Sequence, residues 1–232
     1  MHTTNVKPWQ LNYDRYSQQK YDRDIVAAIP YHREIHEKIG KFILSHFSPK
    51  KTYRVLDLGV GTGITSKLIQ DLLPRISLDV IDFSSHMLKG AQKKLGHKNV
   101  TYIRGDYATK QFSHGYDMVV SVIGLHHQND LGKKRLFKKI FAALKPCGYF
   151  IFGDLVTYAN PRQAARNNAR HYHHLVKHAR NEKTLTEWAY HHMFLNDIAT
   201  IEDQTKWLTD AGFKVRKEFL KMNTALLCCL KR

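Results

Sequence analysis

Asp57, Gly59, Gly61 and Gly63 alternate with other residues in the run Val55-Leu56-Asp57-Leu58-Gly59-Val60-Gly61-Thr62-Gly63. Glycines at a sharp turn let a ligand lie against bare backbone, close to the N-terminus of a following helix. This is the pattern of a nucleotide-type cofactor site. A second acid, Asp82, lies 19 residues beyond Gly63. A carboxylate there can accept both ribose hydroxyls of a bound adenosine through two charge-assisted bonds. Farther on, His126 and His127 follow Ser121-Val122-Ile123-Gly124-Leu125. An imidazole titrates near neutral pH and can accept a proton or hydrogen-bond a substrate. Asp154 is a further candidate of the same kind.

These residues need strands that end where they stand. Val55 to Leu58 reads as a buried strand, and Ile64, Leu68, Ile69, Leu72 and Leu73 recur at helical spacing behind the glycines. A dinucleotide fingerprint needs its third glycine three positions after the second, for close helix–strand packing. Counted from Gly59 and Gly61 that position is Ile64, which argues against a dehydrogenase. Ser77–Asp82 reads as a second strand; Val100–Tyr107 resembles a third strand with its Gly-Asp ending, Tyr116–Ile123 a fourth, and Leu144–Phe152 the turn into a fifth, in a known α/β family described below. Residues 51–155 thus alternate strand and helix, the signature of a parallel sheet covered on both faces.

Residues 1–50 form an N-terminal segment with a loose polar start. A lead-in from Asp22 bends at Pro30, and a helix from Tyr31 to Phe47 carries Ile35, Ile39, Phe42 and Ile43 on one face. Residues 156–198, free of glycine and with proline only at Pro161, read as a helical cap insertion. Residues 199–232 supply a last helix, Ile201 to Ala211, stopped by Gly212, and two strands, Phe213–Lys221 and Thr224–Leu230. The organisation is one domain with an inserted cap.

The acid-x-Gly-x-Gly-x-Gly pattern resembles motif I of the class I S-adenosylmethionine-dependent methyltransferases. Phe83-Ser84-Ser85-His86-Met87-Leu88, Gly105-Asp106-Tyr107 and Leu144-Lys145-Pro146-Cys147-Gly148 resemble later segments of that family in order. The resemblance implies an α/β, Rossmann-like, doubly wound seven-stranded sheet with an antiparallel C-terminal hairpin and a helical cap. It implies S-adenosyl-L-methionine as cofactor and S-adenosyl-L-homocysteine as product. It also implies cofactor-binding roles for Asp57, Gly59, Gly61, Gly63, Asp82, Phe83, Met87, Asp106, Tyr107 and Val122. Asp57 would hold the cofactor's amino-acid end, Ser84 would cap a helix, Phe83 and Met87 would line the adenine slot, and Asp106 would meet the adenine amino group. In this family an N-terminal segment folds over the cofactor, and Tyr21, Tyr31 and His32 are its aromatic candidates here. Ile29-Pro30-Tyr31, Ser121 to His127 and Glu202 to Phe213 are similar to a group that includes tRNA wobble-uridine carboxymethyl-transferring enzymes and many small-molecule methyltransferases. That group's Pro-Gly-Tyr reads Pro30-Tyr31-His32 here.

Methyl transfer from a sulfonium needs nucleophile, methyl and sulfur in line and water excluded. A base is needed only where the acceptor must lose a proton. His126 and His127, at the carboxyl edge where doubly wound sheets hold ligands, are the catalytic candidates. Gly124-Leu125-His126-His127 stands where amino-methyltransferases of adenine and cytosine carry Asp/Asn-Pro-Pro-aromatic, so that class is disfavoured. Cys147, beside Pro146, reads as a substituted turn glycine rather than a nucleophile.

The chain has 232 residues, enough for one α/β domain. Its 3 cysteines make no disulfide framework and suggest a reducing, cytoplasmic compartment. There is no signal-peptide pattern and no run long enough to span a membrane. Fifteen histidines are many, but none has metal-ligand spacing with cysteines, and His171-Tyr172-His173-His174 would need further ligands. No metal is therefore expected. The net charge of +17 concerns partners rather than fold. Between Asp154 and Glu182, Arg162, Arg166, Arg170, His173, Lys177 and Arg180 would form one basic stripe on a helix, a surface for RNA or another polyanion. Lysines also crowd Lys89–Lys98 and Lys133–Lys139.

The favoured expectation is a methyltransferase, monomer or homodimer, acting on a small molecule held beneath the cap by Trp188, Tyr190, Met193 and Phe194. The alternatives are an RNA-modifying methyltransferase that uses the basic cap, and a non-catalytic polyanion-binding protein on the same fold.

Overall fold

Strand β1, Tyr53–Leu58, lies in the middle of the sheet because its side chains are apolar toward both faces. Leu56 and Leu58 join one core cluster and Val55 joins the other, as the two-residue period of a strand requires. The computed structural model describes residues 17–232; the polar start of the N-terminal segment lies outside them.

The elements follow in the order α1 (Gln18–Ala28), α2 (His32–His46), β1, α3 (Ile64–Leu72), β2 (Ile76–Asp82), α4 (Ser85–Leu95), β3 (Val100–Arg104), β4 (Tyr116–Val122), α5 (Asp130–Ala143), β5 (Leu144–Leu155), α6 (Pro161–His178), α7 (Glu182–Phe194), α8 (Ile201–Asp210), β6 (Phe213–Lys221) and β7 (Thr224–Lys231). The sheet has seven strands in the order β3-β2-β1-β4-β5-β7-β6. The first five run parallel. β7 is antiparallel to both β5 and β6. The strand order reverses between β1 and β4, which opens a crevice at their carboxyl ends. This is the doubly wound α/β sheet with an antiparallel C-terminal hairpin.

One face is packed by α5 and α8, with Phe137, Phe150, Phe152, Trp207, Leu208 and Phe213 in its cluster. The other packs α2, α3 and α4 through Ile35, Ile39, Ile43, Ile69 and Ala91. All four apolar residues expected on the α2 face are buried. Ser84, Asn129, Asn160, Asn181 and Thr200 each accept a backbone N–H at the start of α4 to α8, which satisfies donors the helix cannot. The inserted cap is α6 and α7. Cys147 has φ 62, a backbone region that favours glycine, in keeping with its reading as a replaced turn glycine.

α1 is held between the core and the cap. Asp22 takes a hydrogen bond from the Thr62 hydroxyl and pairs with Lys94 Nζ at 2.7 Å. His174 Nε2 meets the Ala27 carbonyl at 2.8 Å, and Arg180 pairs with Asp24 at 2.9 Å.

Candidate active site

β1 delivers Asp57 to the carboxyl edge, and the chain then turns through Gly59 (φ 77), Gly61 (φ 55) and Gly63 (φ 87) into α3. Side chains resist this left-handed backbone. A Cβ on Gly63 would also stand 3.2 Å from Leu95 Cδ1 and 3.4 Å from the Ala91 Cα, so the missing side chain lets α3 start against α4.

Asp57 Oδ2 accepts from Ser66 Oγ at 2.6 Å. Asp82 accepts from the Gly61 amide at 2.8 Å and the Ser84 amide at 2.9 Å. Burial pushes Asp57 up to about 7; its Ser66 bond opposes the rise and the charge of Asp82 adds to it. Burial likewise pushes Asp82 up to about 6, against the amide bonds it accepts. Among the described residues neither carboxylate forms an ion pair. Two buried acids of this kind favour a ligand that brings positive charge.

The cavity over the turn is lined by Asp57, Gly59, Gly61 and Val122, with Tyr21 and His32 on its outer side. Tyr31 is not among them. Its backbone is left-handed at the bend into α2, φ 61, and its ring meets Phe219 on β6 edge-on at 5.8 Å. Tyr31 is thus replaced at the turn by Tyr21 and His32. Gly63, Asp82, Phe83, Met87, Asp106 and Tyr107 do not line this cavity, although Asp82 reaches the Gly61 amide beneath it. Met87 is buried, and its amide donates to Ser84 Oγ at 3.1 Å, the expected cap. Asp106 Oδ1 accepts from the Ala108 amide at 2.8 Å, and the Tyr107 hydroxyl donates to the Gly124 carbonyl at 2.8 Å.

Beyond β4 the chain enters a short 3-10 turn, Leu125–His127. His126 Nδ1 lies 2.5 Å from Asp154 Oδ1, with both side chains buried. Asp154 Oδ2 also accepts the Leu125 and His126 amides, each at 2.9 Å. A carboxylate can only accept, so Nδ1 carries the proton and the lone pair lies on Nε2. The two sequence candidates, one on the turn beyond β4 and one on β5, are therefore one unit. His127 is buried and placed differently: its Nδ1 meets the Leu195 carbonyl at 3.0 Å. Burial, then the neighbouring His126 and His191, hold its ring well below the ordinary imidazole range.

His126 lines a second cavity with Ile29, Leu155, Leu175 and Trp188. Tyr21, Ile25 and Ile123 line both this cavity and the one over the glycine turn. The two spaces therefore share a wall, and His126 stands in the cap cavity, three positions from Ile123 of that wall. Ile123 has φ 54, a strained conformation for a β-branched residue. Of the four cap residues expected in an acceptor pocket, only Trp188 lines this cavity. Tyr190 and Phe194 are exposed and stacked on each other at 5.2 Å, and Met193 is exposed. Met193 lines a separate, more open cavity with Tyr158, Asn167 and Asn223, a placement that sequence spacing alone does not reveal.

The basic stripe forms on α6, where Arg162, Arg166, Arg170, His173 and Lys177 are all exposed. Arg180, just beyond α6, is instead committed to Asp24. The histidines at 171–174 point apart: His171 meets Asn223, His174 meets Ala27, and His173 faces outward. Sequence reasoning missed three groups. Lys133, read as surface charge, is buried, and its ammonium donates to the Gln128 and Asp197 carbonyls at 2.5 Å each. His192 Nδ1 and Asn196 Oδ1 are buried without a hydrogen-bond partner, and both residues line the His126 cavity. His191 comes beside His126 and His127. None of these had a local signal, since each depends on contacts across the cap.

Residues 55–148 match the family model described as methyltransferase domain. Malonyl-[acyl-carrier protein] O-methyltransferase of Bacillus anthracis is 29% identical over 133 residues, covering 55% of this chain and 49% of that protein. Malonyl-[acyl-carrier protein] O-methyltransferase 2 of Coxiella burnetii is 31% identical over 141 residues, 59% and 56% of the two chains. Carboxy-S-adenosyl-L-methionine synthase of Campylobacter fetus is 27% identical over 155 residues, 66% and 65%. This chain spans about half the length of the first of these relatives. The CurJ carbon methyltransferase has a TM-score of 0.67 at 17% identity, covering 97% of this chain and 61% of that one. An O-methyltransferase family protein from Burkholderia thailandensis has a TM-score of 0.65 at 12% identity, covering 96% and 61%. These two show the fold. Residues 55–148 therefore carry a methyltransferase domain, and the relatives support the class I S-adenosylmethionine-dependent kind. Among the described residues, no helix is long and apolar enough to cross a membrane.

Proposed function

We propose that the protein transfers a methyl group from S-adenosyl-L-methionine to a small-molecule acceptor that must lose a proton, with S-adenosyl-L-homocysteine as the other product. The observation that carries this reading is the buried His126–Asp154 pair, whose histidine lines the cap cavity that shares Tyr21, Ile25 and Ile123 with the glycine-turn cavity. The cofactor supplies an electrophilic methyl on a sulfonium. Asp57 and Asp82, both costly to ionise without a positive partner, suit its charged amino-acid end and its ribose hydroxyls.

His126 Nε2 takes the acceptor's proton, and Asp154 holds the ring and stabilises the imidazolium that results. Trp188 and the aliphatic wall exclude water from an apolar acceptor body. His192 Nδ1 and Asn196 Oδ1 offer it polar contacts. Malonyl groups, the substrate in the names of the malonyl relatives, carry a carboxylate already ionised at neutral pH. They need no base, so a hydroxyl, amine or acidic carbon suits this site better.

An RNA acceptor is the second reading, supported by the exposed arginines of α6. The test is transfer of labelled methyl from S-adenosyl-L-methionine into a fractionated extract, with RNA, protein and small-molecule pools scored separately. Label in the small-molecule pool, lost in His126→Gln, is the expected result. Label in RNA that fades with salt would transfer the reading to the basic cap. No label in any pool would overturn catalysis and favour a polyanion-binding protein on this fold.

A further inference from the structure

His126 and His127 stand on the turn after β4, and His191 stands on α7, 64 positions from His127. One ring nitrogen from each falls within 4.8 Å of the others. We propose that these three histidines form a binding site for one divalent transition-metal ion of the zinc type, on the wall of the cap cavity.

Proximity alone would be a thin argument, because histidines also stack on one another. The outer contacts of the two buried rings add to it. Histidines that ligate a metal through one nitrogen characteristically donate the other N–H to a carboxylate or a backbone carbonyl, which fixes tautomer and orientation. His126 Nδ1 does this to Asp154 and His127 Nδ1 to the Leu195 carbonyl. Both acceptors lack a proton to give, so both lone pairs lie on Nε2. The rings of His126 and His127 stand 4.1 Å apart by centroid and are tilted by 56°, not stacked flat. His191 meets His127 at 5.3 Å, nearly perpendicular.

Zinc–imidazole bonds of about 2.0–2.1 Å on a tetrahedral ion put ligand nitrogens about 3.3 Å apart. The cluster therefore has to close by up to about 1.5 Å. His191 is only half-buried and is the side chain that must move inward, since the rings of His126 and His127 are held by their outer contacts. Three neutral imidazoles with a fourth position left open suit zinc or cobalt better than magnesium or calcium, which favour oxygen ligands. His126 and His191 both line the cap cavity, so the open position faces it. Lys133 is the opposing charge, and its ammonium is turned onto two carbonyls.

A metal here would take the same Nε2 lone pair that the proposed methyl transfer needs for its base. The metal-bound and base-competent states are then mutually exclusive. Metal binding itself needs neither cofactor nor acceptor, so failure of one proposal leaves the other standing.

The experiment is titration of the purified full chain, stripped with chelator, with zinc alone against a competing chromophoric chelator. Cobalt absorption then reports the coordination geometry. The expected result is one ion per chain with a tetrahedral cobalt spectrum. His191→Ala and His127→Ala should each lower affinity at least about tenfold, and Asp154→Asn about 10–100-fold through loss of the ring's outer partner. His173→Ala, on the exposed face of α6, should leave affinity unchanged. Circular dichroism of each variant separates lost ligands from lost fold. Stoichiometry near zero, or equal zinc affinity in the wild type and His191→Ala, would overturn the site.

Discussion

A single carboxylate, Asp154, holds His126 from two sides: Oδ1 takes the ring at 2.5 Å, and Oδ2 takes the residue's own amide at 2.9 Å. Ring and backbone are thereby fixed together, at a depth where water cannot compete. Replacing His126 with Gln should lower kcat by about 10²–10⁴, the range for a lost general base, while cofactor affinity stays within a few-fold. Asp154→Asn should lower kcat through misorientation, and the double variant should lose little more than His126→Gln alone, because the two act as one unit. Additive losses in steady-state kinetics would show that they act separately.

Asp57 and Asp82 are pushed up to about 7 and about 6 by burial. A positively charged ligand favours their ionised forms, so binding at low pH must release protons. Affinity for S-adenosyl-L-methionine should therefore rise as pH increases from about 5 to 8 and level off above that. Asp57→Asn should bind more weakly and with a shallower dependence on pH. Calorimetry in buffers of different ionisation enthalpy measures the released protons directly. A pH-independent affinity would exclude a charged role for this pair.

Burial, the leading cause in each case, pushes His32 down to about 3, His171 to about 2, His192 to about 4, and His127 well below its usual range. The folded state holds these rings neutral, whereas the unfolded chain protonates them near 6.5. Their stabilising contribution is therefore complete above pH 6.5 and is lost as pH falls below it. Each adds a slope of up to about 1.4 kcal/mol per pH unit in that window. The raised carboxylates Asp57, Asp82 and Asp197 act in the opposite sense, gaining as they protonate, but they are three against six lowered histidines once His36 and His174 are included. Urea unfolding should thus show net stability falling between pH 7 and 5. His171→Leu should flatten that fall by roughly one histidine's share.

The glycine turn was legible because its requirements are local: φ 77, 55 and 87 within five residues, preceded by a strand and followed by a helix. The strands and the α2 face were legible for the same reason, since periodicity reports which side of an element is covered. The N-terminal aromatic was not. Tyr31 is drawn to Phe219, 188 positions away, while Tyr21, one turn into α1, takes the place beside the glycines. Nor does composition separate Lys133 from Lys134, of which one is buried and the other exposed. The His126–Asp154 partnership could be suspected from two strand ends, but the third histidine could not, because α7 is positioned by the cap.

Cys147 occupies a left-handed position, φ 62, in the turn that opens β5, and its side chain is exposed. Cys147→Gly removes the clash of a Cβ with its own backbone, a gain of roughly 1–2 kcal/mol, less the added flexibility of the unfolded chain. The net expectation is a small rise in Tm, within about 4 °C for a domain of this size. Methyl transfer should be unchanged, since the turn lies at the opposite edge of the sheet from His126. A fall in activity at unchanged Tm would give Cys147 a chemical role that its turn position does not suggest.

Lys133 joins the segment after the 3-10 turn to the segment after α7, donating to the Gln128 and Asp197 carbonyls. The same two segments carry His127 and the Leu195 carbonyl that orients it. Lys133→Met keeps most of the volume and spares the burial of an ammonium, but it leaves two carbonyls without their donor. At about 1–3 kcal/mol for each group left unsatisfied, the gain does not cover the loss, and Tm should fall by several degrees. The larger effect should be on the site. With the tie gone, α7 is less firmly held over the cavity, so KM for the acceptor should rise more than the affinity for the cofactor falls. Equal weakening of both would mean that Lys133 supports the fold as a whole rather than the wall of the acceptor cavity.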